Sequence, residues 1–281
     1  MYSTNLSIFT FDDYRRFLQE SVIQIRRQSN EFSFRKFSRA AGFASPNFLK
    51  LVMEGDRNLS TQGAQKIAQA FSLKSKEQTY FQRLVAANQA NTYTKKIELM
   101  GNLARSKSFL QSQPLVAQQF DYYSHWHNIP LREMLSLPKG PQTAEQLAKA
   151  FKPAISAEAA EKSLARLQSL GFIFKGQDGR WQMTHQTLMS GNDVVNTGVS
   201  SFHLEMIRLG SEALERFPKT EREISSATVA ISSQKFELIR EKIRMLKQEI
   251  LEMSAVEENA DTVVQINFQL FPFMDLNKEK K

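Results

Sequence analysis

Asn47 and Lys50 stand three residues apart, directly behind the pair Ser45-Pro46. On a helix that spacing puts a carboxamide and an ammonium on one face, within a single turn. An asparagine carboxamide matches the paired donor and acceptor of an adenine edge, and a lysine suits a guanine edge or a phosphate. Arg35, Ser45 and Arg57 are grouped with them as candidates for one DNA-binding surface. Other chemistries find less material. The absence of cysteine excludes disulfides, thiolate nucleophiles and cysteine metal sites, and is compatible with a reducing compartment. His125, His127, His185 and His203 are scattered, and His125 and His127 would need distant help to hold a metal. Ordinary surface, core or interface roles are expected of them. Arg222 and Glu223 read as a turn ion pair or helix cap, and Gly171, Gly176 and Gly179 shape turns rather than a phosphate loop leading into a helix. No catalytic residue, cofactor or metal is therefore expected, and the chain is not read as an enzyme.

The elements that must position Asn47 and Lys50 can be read from periodicity and caps. From Asp12 to Gln28 the stripe Tyr14, Phe17, Leu18, Val22 and Ile25 has helical spacing, with Arg15, Arg16, Arg26 and Arg27 around it. Each arginine suits a phosphate contact or a solvated face equally well. A second helix is expected after Ser33, running through Phe37 and Ala41 to a reversal at Gly42. Ser45 is expected to cap a third, with Pro46 at its first position. Phe48, Leu49 and Val52 then face inward and Asn47, Lys50 and Glu54 outward. After the turn at Gly55-Asp56-Arg57-Asn58, a helix starts at Ser60 or Thr61 and another near Ser75. Five short helices would surround one apolar centre. A small helical protein-binding domain uses the same caps, so a non-enzymatic helical adaptor for another protein is the alternative reading.

Charge sharpens the choice. The 281 residues carry a net charge of +8, but residues 1–110 hold 17 Lys/Arg against 8 Asp/Glu, and the remainder 20 against 21. A basic end joined to a nearly neutral remainder suits a polyanion partner, although basic surfaces also serve solubility and membrane association. Residues 1–10 lack a basic stretch followed by an apolar run, and no uncharged run of about 18 apolar residues occurs. Neither export nor membrane spanning is expected; a cytoplasmic, nucleoid-associated location is.

Further along, residues 88–113 suit a linking helix or solvated connector, and Val116, Phe120, Tyr123 and Trp126 mark a helix from Leu115. Between Thr143 and Met183 comes a winged-helix-like pattern: a helix from Thr143 through Leu147, a second capped by Ser156 and stopped at Gly171, then a hairpin turning at Asp178-Gly179. Glu158 and Glu161 stand early in its second helix, where phosphates would be repelled, favouring a scaffold or dimer contact over direct DNA reading. Ser200 to Phe217 reads as a helix with Phe202, Met206, Leu209 and Leu214 inward. Thr228–Ile231, a long helix through Phe236 and Ile250, and Val263–Phe271 then suggest a β-α-β unit whose free edges favour pairing with another subunit.

The segment from Phe34 to Leu73 resembles the Cro/C1 type of helix-turn-helix, through Phe37-Ser38-Arg39-Ala40-Ala41-Gly42, the Ser45 helix, Gly55-Asp56-Arg57 and Ile67-Ala68-Gln69-Ala70-Phe71. Arg222–Thr228 and Val264–Pro272 resemble an uncharacterised, DUF4423-like C-terminal domain that follows such heads in a paralogous family of bacterial regulators. The first likeness implies that residues opening the third helix enter a major groove. Taken together, the expected architecture is mainly α with a smaller α/β part. A Cro/C1-type head occupies 1–90, a linker 91–114, a winged-helix-like domain 115–190, and an α/β domain 191–281 that dimerises or senses an unidentified effector. The expected function is sequence-specific binding of double-stranded DNA as a homodimeric transcriptional regulator.

Overall fold

The computed structural model describes residues 2–28, 32–184 and 193–274. His185 and the expected boundary at 190/191 lie outside the described residues. The fold is mostly α-helical with one small β-hairpin. A 3-10 turn at Ile8–Thr10 precedes α1 (Tyr14–Gln28), α2 (Phe34–Ala40), α3 (Phe48–Glu54), α4 (Thr61–Ala70), α5 (Ser75–Asn88), α6 (Tyr93–Ala104), α7 (Lys107–Ser112) and α8 (Pro114–Ser124). Then follow α9 (Asn128–Ser136), α10 (Ala144–Ala150), α11 (Ala157–Ser169), β1 (Ile173–Lys175), β2 (Trp181–Met183), α12 (Asp193–Arg216) and α13 (Ser233–Ala255). The chain divides into two compact units, one comprising Met1–His125 and Gln186–Phe202, the other Trp126–His185 and His203–Lys281.

In the first unit, helix starts follow the hydroxyl caps. Ser33 accepts from the Lys36 amide, Ser60 from Gly63 and Thr92 from Lys95, each satisfying an amide that the helix leaves unpaired. The apolar stripe of α1 buries Tyr14, Phe17, Leu18, Val22 and Ile25 against an aromatic centre that includes Phe11, Phe37, Phe71 and Phe81. The segment expected as a linking helix or solvated connector forms two helices, α6 and α7. Met100, Leu103, Ala104 and Phe109 are buried there because two short amphipathic helices have an apolar face to cover.

In the second unit, α10 begins with a reciprocal cap between Thr143 and Gln146, and Ser156 caps α11. Gly171 takes a φ of +71°, which lets the chain reverse into the hairpin; Ile173 pairs with Met183 and Lys175 with Trp181. Trp126 packs edge-on to Phe151 at 5.4 Å. α12, whose residues up to Phe202 belong to the first unit, starts earlier than its apolar pattern suggests; Phe202 and Met206 are buried, but Leu214 is exposed.

The β-α-β expectation needs correction. α13 forms, with Ser232 capping it through the Lys235 amide, but residues 222–232 and 257–272 carry neither helix nor strand. Among the described residues, the only sheet is β1–β2. Alternating side chains favour strand-like backbone without deciding which edge supplies the hydrogen bonds. Here the second segment is instead fastened by a side chain: Asn267 Nδ2 donates to the Met206 carbonyl at 2.9 Å, beside Gly210.

Candidate nucleic-acid interface

The surface proposed for base reading is built on α2, the turn and α3. Gly42 lies in the left-handed region at φ +71°, ending α2 abruptly, and the Phe43 amide bonds back to the Ser38 carbonyl at 2.8 Å. The Ser38 hydroxyl, buried under the turn, donates to the Pro46 carbonyl at 3.1 Å. The same turn shows one departure from the sequence reading. The Pro46 carbonyl is turned toward Ser38, and the first carbonyl to accept a helical i+4 bond is that of Asn47, from the Leu51 amide at 3.0 Å. The helix therefore starts at Phe48, and Ser45 does not cap it; the Ser45 carbonyl accepts the Phe48 amide within the preceding turn.

Leu49 and Val52 are buried, which fixes the rotation of α3. Phe48 is only half-buried and stacks on Phe43 at 4.2 Å, with the Lys66 ammonium 5.6 Å from the Phe43 ring. Rotation then leaves Asn47 and Lys50 exposed, as well as Glu54. Lys50 approaches Glu54 at 3.7 Å; both side chains are about half exposed, so this ion pair is weak and exchangeable. Arg35 is exposed on α2, and Arg57 is exposed beyond α3, its amide bonded to the Leu51 carbonyl at 3.1 Å. Ser45 is half-buried. The structure thus brings Ser45, Asn47 and Lys50 together on the turn and first turn of α3, with Arg35 on one neighbouring element and Arg57 on another.

Two further sets of residues emerge only from packing. Lys36 and Arg39 are exposed on α2, while Lys66 donates to the Gly42 carbonyl at 3.1 Å and holds the turn. The C-terminal end of α3 is braced from α1: Arg15 Nε donates to the Val52 carbonyl at 3.0 Å, its guanidinium also meets Asn58 at 2.7 Å, and Gln19 donates to the Met53 carbonyl at 2.9 Å. A cation at the end of a helix satisfies carbonyls that lack in-helix partners. Arg16 instead pairs with Glu20, four residues along the same helix, at 2.9 Å; that partner is local, whereas the acceptor of Arg15 is supplied by the placement of α3. Arg26 lies over the rings of Phe32 and Phe34.

Elsewhere, His125 Nδ1 lies 2.9 Å from the Asp121 carbonyl, and no group of three or more metal-ligating side chains gathers among the described residues. No described helix is long and apolar enough to cross a membrane. Glu158 is exposed and paired with Lys162 at 2.6 Å.

A family model described as Domain of unknown function (DUF4423) matches residues 106–273. No curated protein and no solved structure matches the chain.

Proposed function

We propose, for a chain that belongs to the DUF4423 family, that it is a bacterial transcriptional regulator which binds specific double-stranded DNA sequences as a homodimer. In this reading α2, the Gly42 turn and α3 are a Cro/C1-type helix-turn-helix, with α3 lying in the major groove. The observation that carries it is the orientation of α3. Burial of Leu49 and Val52 and the brace from Arg15 leave Asn47 and Lys50 outward, and Arg35, Lys36 and Arg39 on the neighbouring α2 and Arg57 just beyond α3 are exposed as well. A fixed helix with a polar, cationic outer face suits base edges and flanking phosphates better than a protein groove, which calls for apolar anchors. Elements α9 to α11 with the β1–β2 hairpin serve as a winged-helix-like scaffold or dimer contact, since Glu158 near the start of α11 disfavours phosphate.

Selection of bound fragments from a randomised duplex library tests this directly. Enriched half-sites are expected, and Lys50→Ala should relax preference at one position by about 1–3 kcal/mol if the contact is to a base. A uniform loss across sequences would assign Lys50 to phosphate. Wild-type protein that retains no duplex even at low salt overturns the reading.

A further inference from the structure

Most of the large apolar side chains left exposed among the described residues fall between Ile224 and Met274. Helix α13 is the clearest case. Phe236 is its one buried residue, and Ile239, Ile243 and Ile250 are half-covered on that same side. The adjoining side of the helix presents Leu238, Met245, Leu246 and Met253 to solvent, at 45–71% exposure. A helix of this length cannot leave such a face in water without sacrificing most of the stabilisation that tertiary burial normally supplies. Two charged residues, Lys242 and Glu249, lie on the same exposed face, interleaved with the apolar residues at spacings of three and four. Neither makes an ion pair within the described chain.

Charge along α13 is segregated as well. From 235 to 247 there are Lys235, Arg240, Lys242, Arg244 and Lys247 against Glu237 and Glu241, which pair locally with Arg240 and Arg244. From 248 to 261 come Glu249, Glu252, Glu257, Glu258 and Asp261 with no cation. A helix that is basic in its first half and acidic beyond is complementary to itself when reversed.

We infer that α13 is a homodimer interface in which two copies pack antiparallel through the Leu238–Met253 face, with the two-fold axis passing between Met245 and Leu246. One register satisfies the whole face. Leu238 meets Met253 of the second copy, Lys242 meets Glu249, and Met245 meets Leu246, each pair occurring twice by symmetry. A parallel arrangement would instead oppose Lys242 to Lys242 and Glu249 to Glu249. This inference rests on the homodimer part of the proposed function and is independent of DNA binding.

The chain has no cysteine, so single cysteines can carry spin labels without background. In the full-length dimer, labels at Gln234→Cys should be offset along the paired helices by about 35 Å, and at Gln248→Cys by less than about 10 Å. Lys242→Glu and Glu249→Lys should each raise the dimer Kd tenfold or more, and the double exchange should restore it. Recovery in the double variant separates an intermolecular pair from simple damage to the helix. Equal short distances at both sites, or charge reversals that leave the Kd unchanged, overturn this interface while leaving a homodimer standing. Wild-type protein that sediments as a monomer at micromolar concentration, free and on DNA, overturns the inference and the homodimer together; duplex selection reports on the DNA-reading head separately.

Discussion

At the scale of single residues, buried hydroxyls do as much to hold the first unit as its charges do to define its surface. Tyr14 is fully buried and donates to Gln89 Oε1 at 2.7 Å, the same oxygen that accepts the Leu59 amide, while Gln89 Nε2 donates to the Leu59 carbonyl. One glutamine thereby ties α1, the loop before α4 and the end of α5 together. Tyr80 donates to the Phe11 carbonyl at 3.0 Å. Burial pushes the Tyr14 phenol from its ordinary value of 10.0 up to about 12, and raises Tyr80 as well, with Asp12 adding to the rise. Because the folded values lie above the unfolded ones, this contribution is intact below about pH 10 and is lost as pH climbs through the folded values. Wild-type protein should lose about 2 kcal/mol from Tyr14 alone between pH 10 and 12. The variant Tyr14→Phe/Tyr80→Phe should start less stable, with two hydrogen bonds gone, yet decline less over that interval. Denaturant unfolding at stepped alkaline pH measures both slopes, and parallel slopes would refute the assignment.

At the scale of elements, two glycines show how close packing sets the helices of the first unit. Both approach Phe120 of α8, whose ring is buried. A Cβ on Gly198 of α12 would stand 3.1 Å from the Phe120 carbonyl oxygen and 3.3 Å from its Cα, so backbone blocks it. On Gly101 of α6 it would meet the Phe120 ring at 3.3 Å and the Arg105 side chain at 3.2 Å, which are freer to yield. Gly198→Ala should therefore cost about 1–3 kcal/mol through displacement of a helix. Gly101→Ala should be near neutral, because up to about 1 kcal/mol of helix propensity offsets the crowding. Thermal melts of the two variants should separate clearly; equal Tm values would show that α12 moves without penalty. Sequence reading located the helices well where a cap and a stripe coincide, as in α4, α10 and α11, and in α1 where the stripe is long. It missed the packed role of α6 and α7, since the value of a short apolar stripe depends on the surface that receives it.

At the scale of the whole molecule, the two compact units differ in completeness. The first closes around an aromatic centre, whereas the second carries α13 and two flanking segments that make few contacts. Residues 223–231 and 260–272 make no backbone–backbone hydrogen bonds among the described residues, although Val264, Ile266, Phe268 and Leu270 alternate with Gln265, Asn267 and Gln269. Unpaired strand-like segments of this kind offer free backbone donors and acceptors to another chain. Amide hydrogen exchange in 262–270 should accordingly be slow in concentrated protein and accelerate on dilution below the dimer Kd; fast exchange at every concentration would exclude coverage by a second copy. The sequence by itself determined the helical character, several helix caps, the hairpin, the basic first third and the outward polarity of Asn47 and Lys50, because those depend on neighbours within a few residues. Only the tertiary structure decided that α3 begins at Phe48, that Arg15 is a brace, that α6 and α7 belong to a core, and that the segments flanking α13 form no sheet within the chain. Each of those depends on which distant donor, acceptor or apolar surface arrives at a given place, as the Ser38 hydroxyl does at the Pro46 carbonyl, and such encounters leave no periodic mark in the chain.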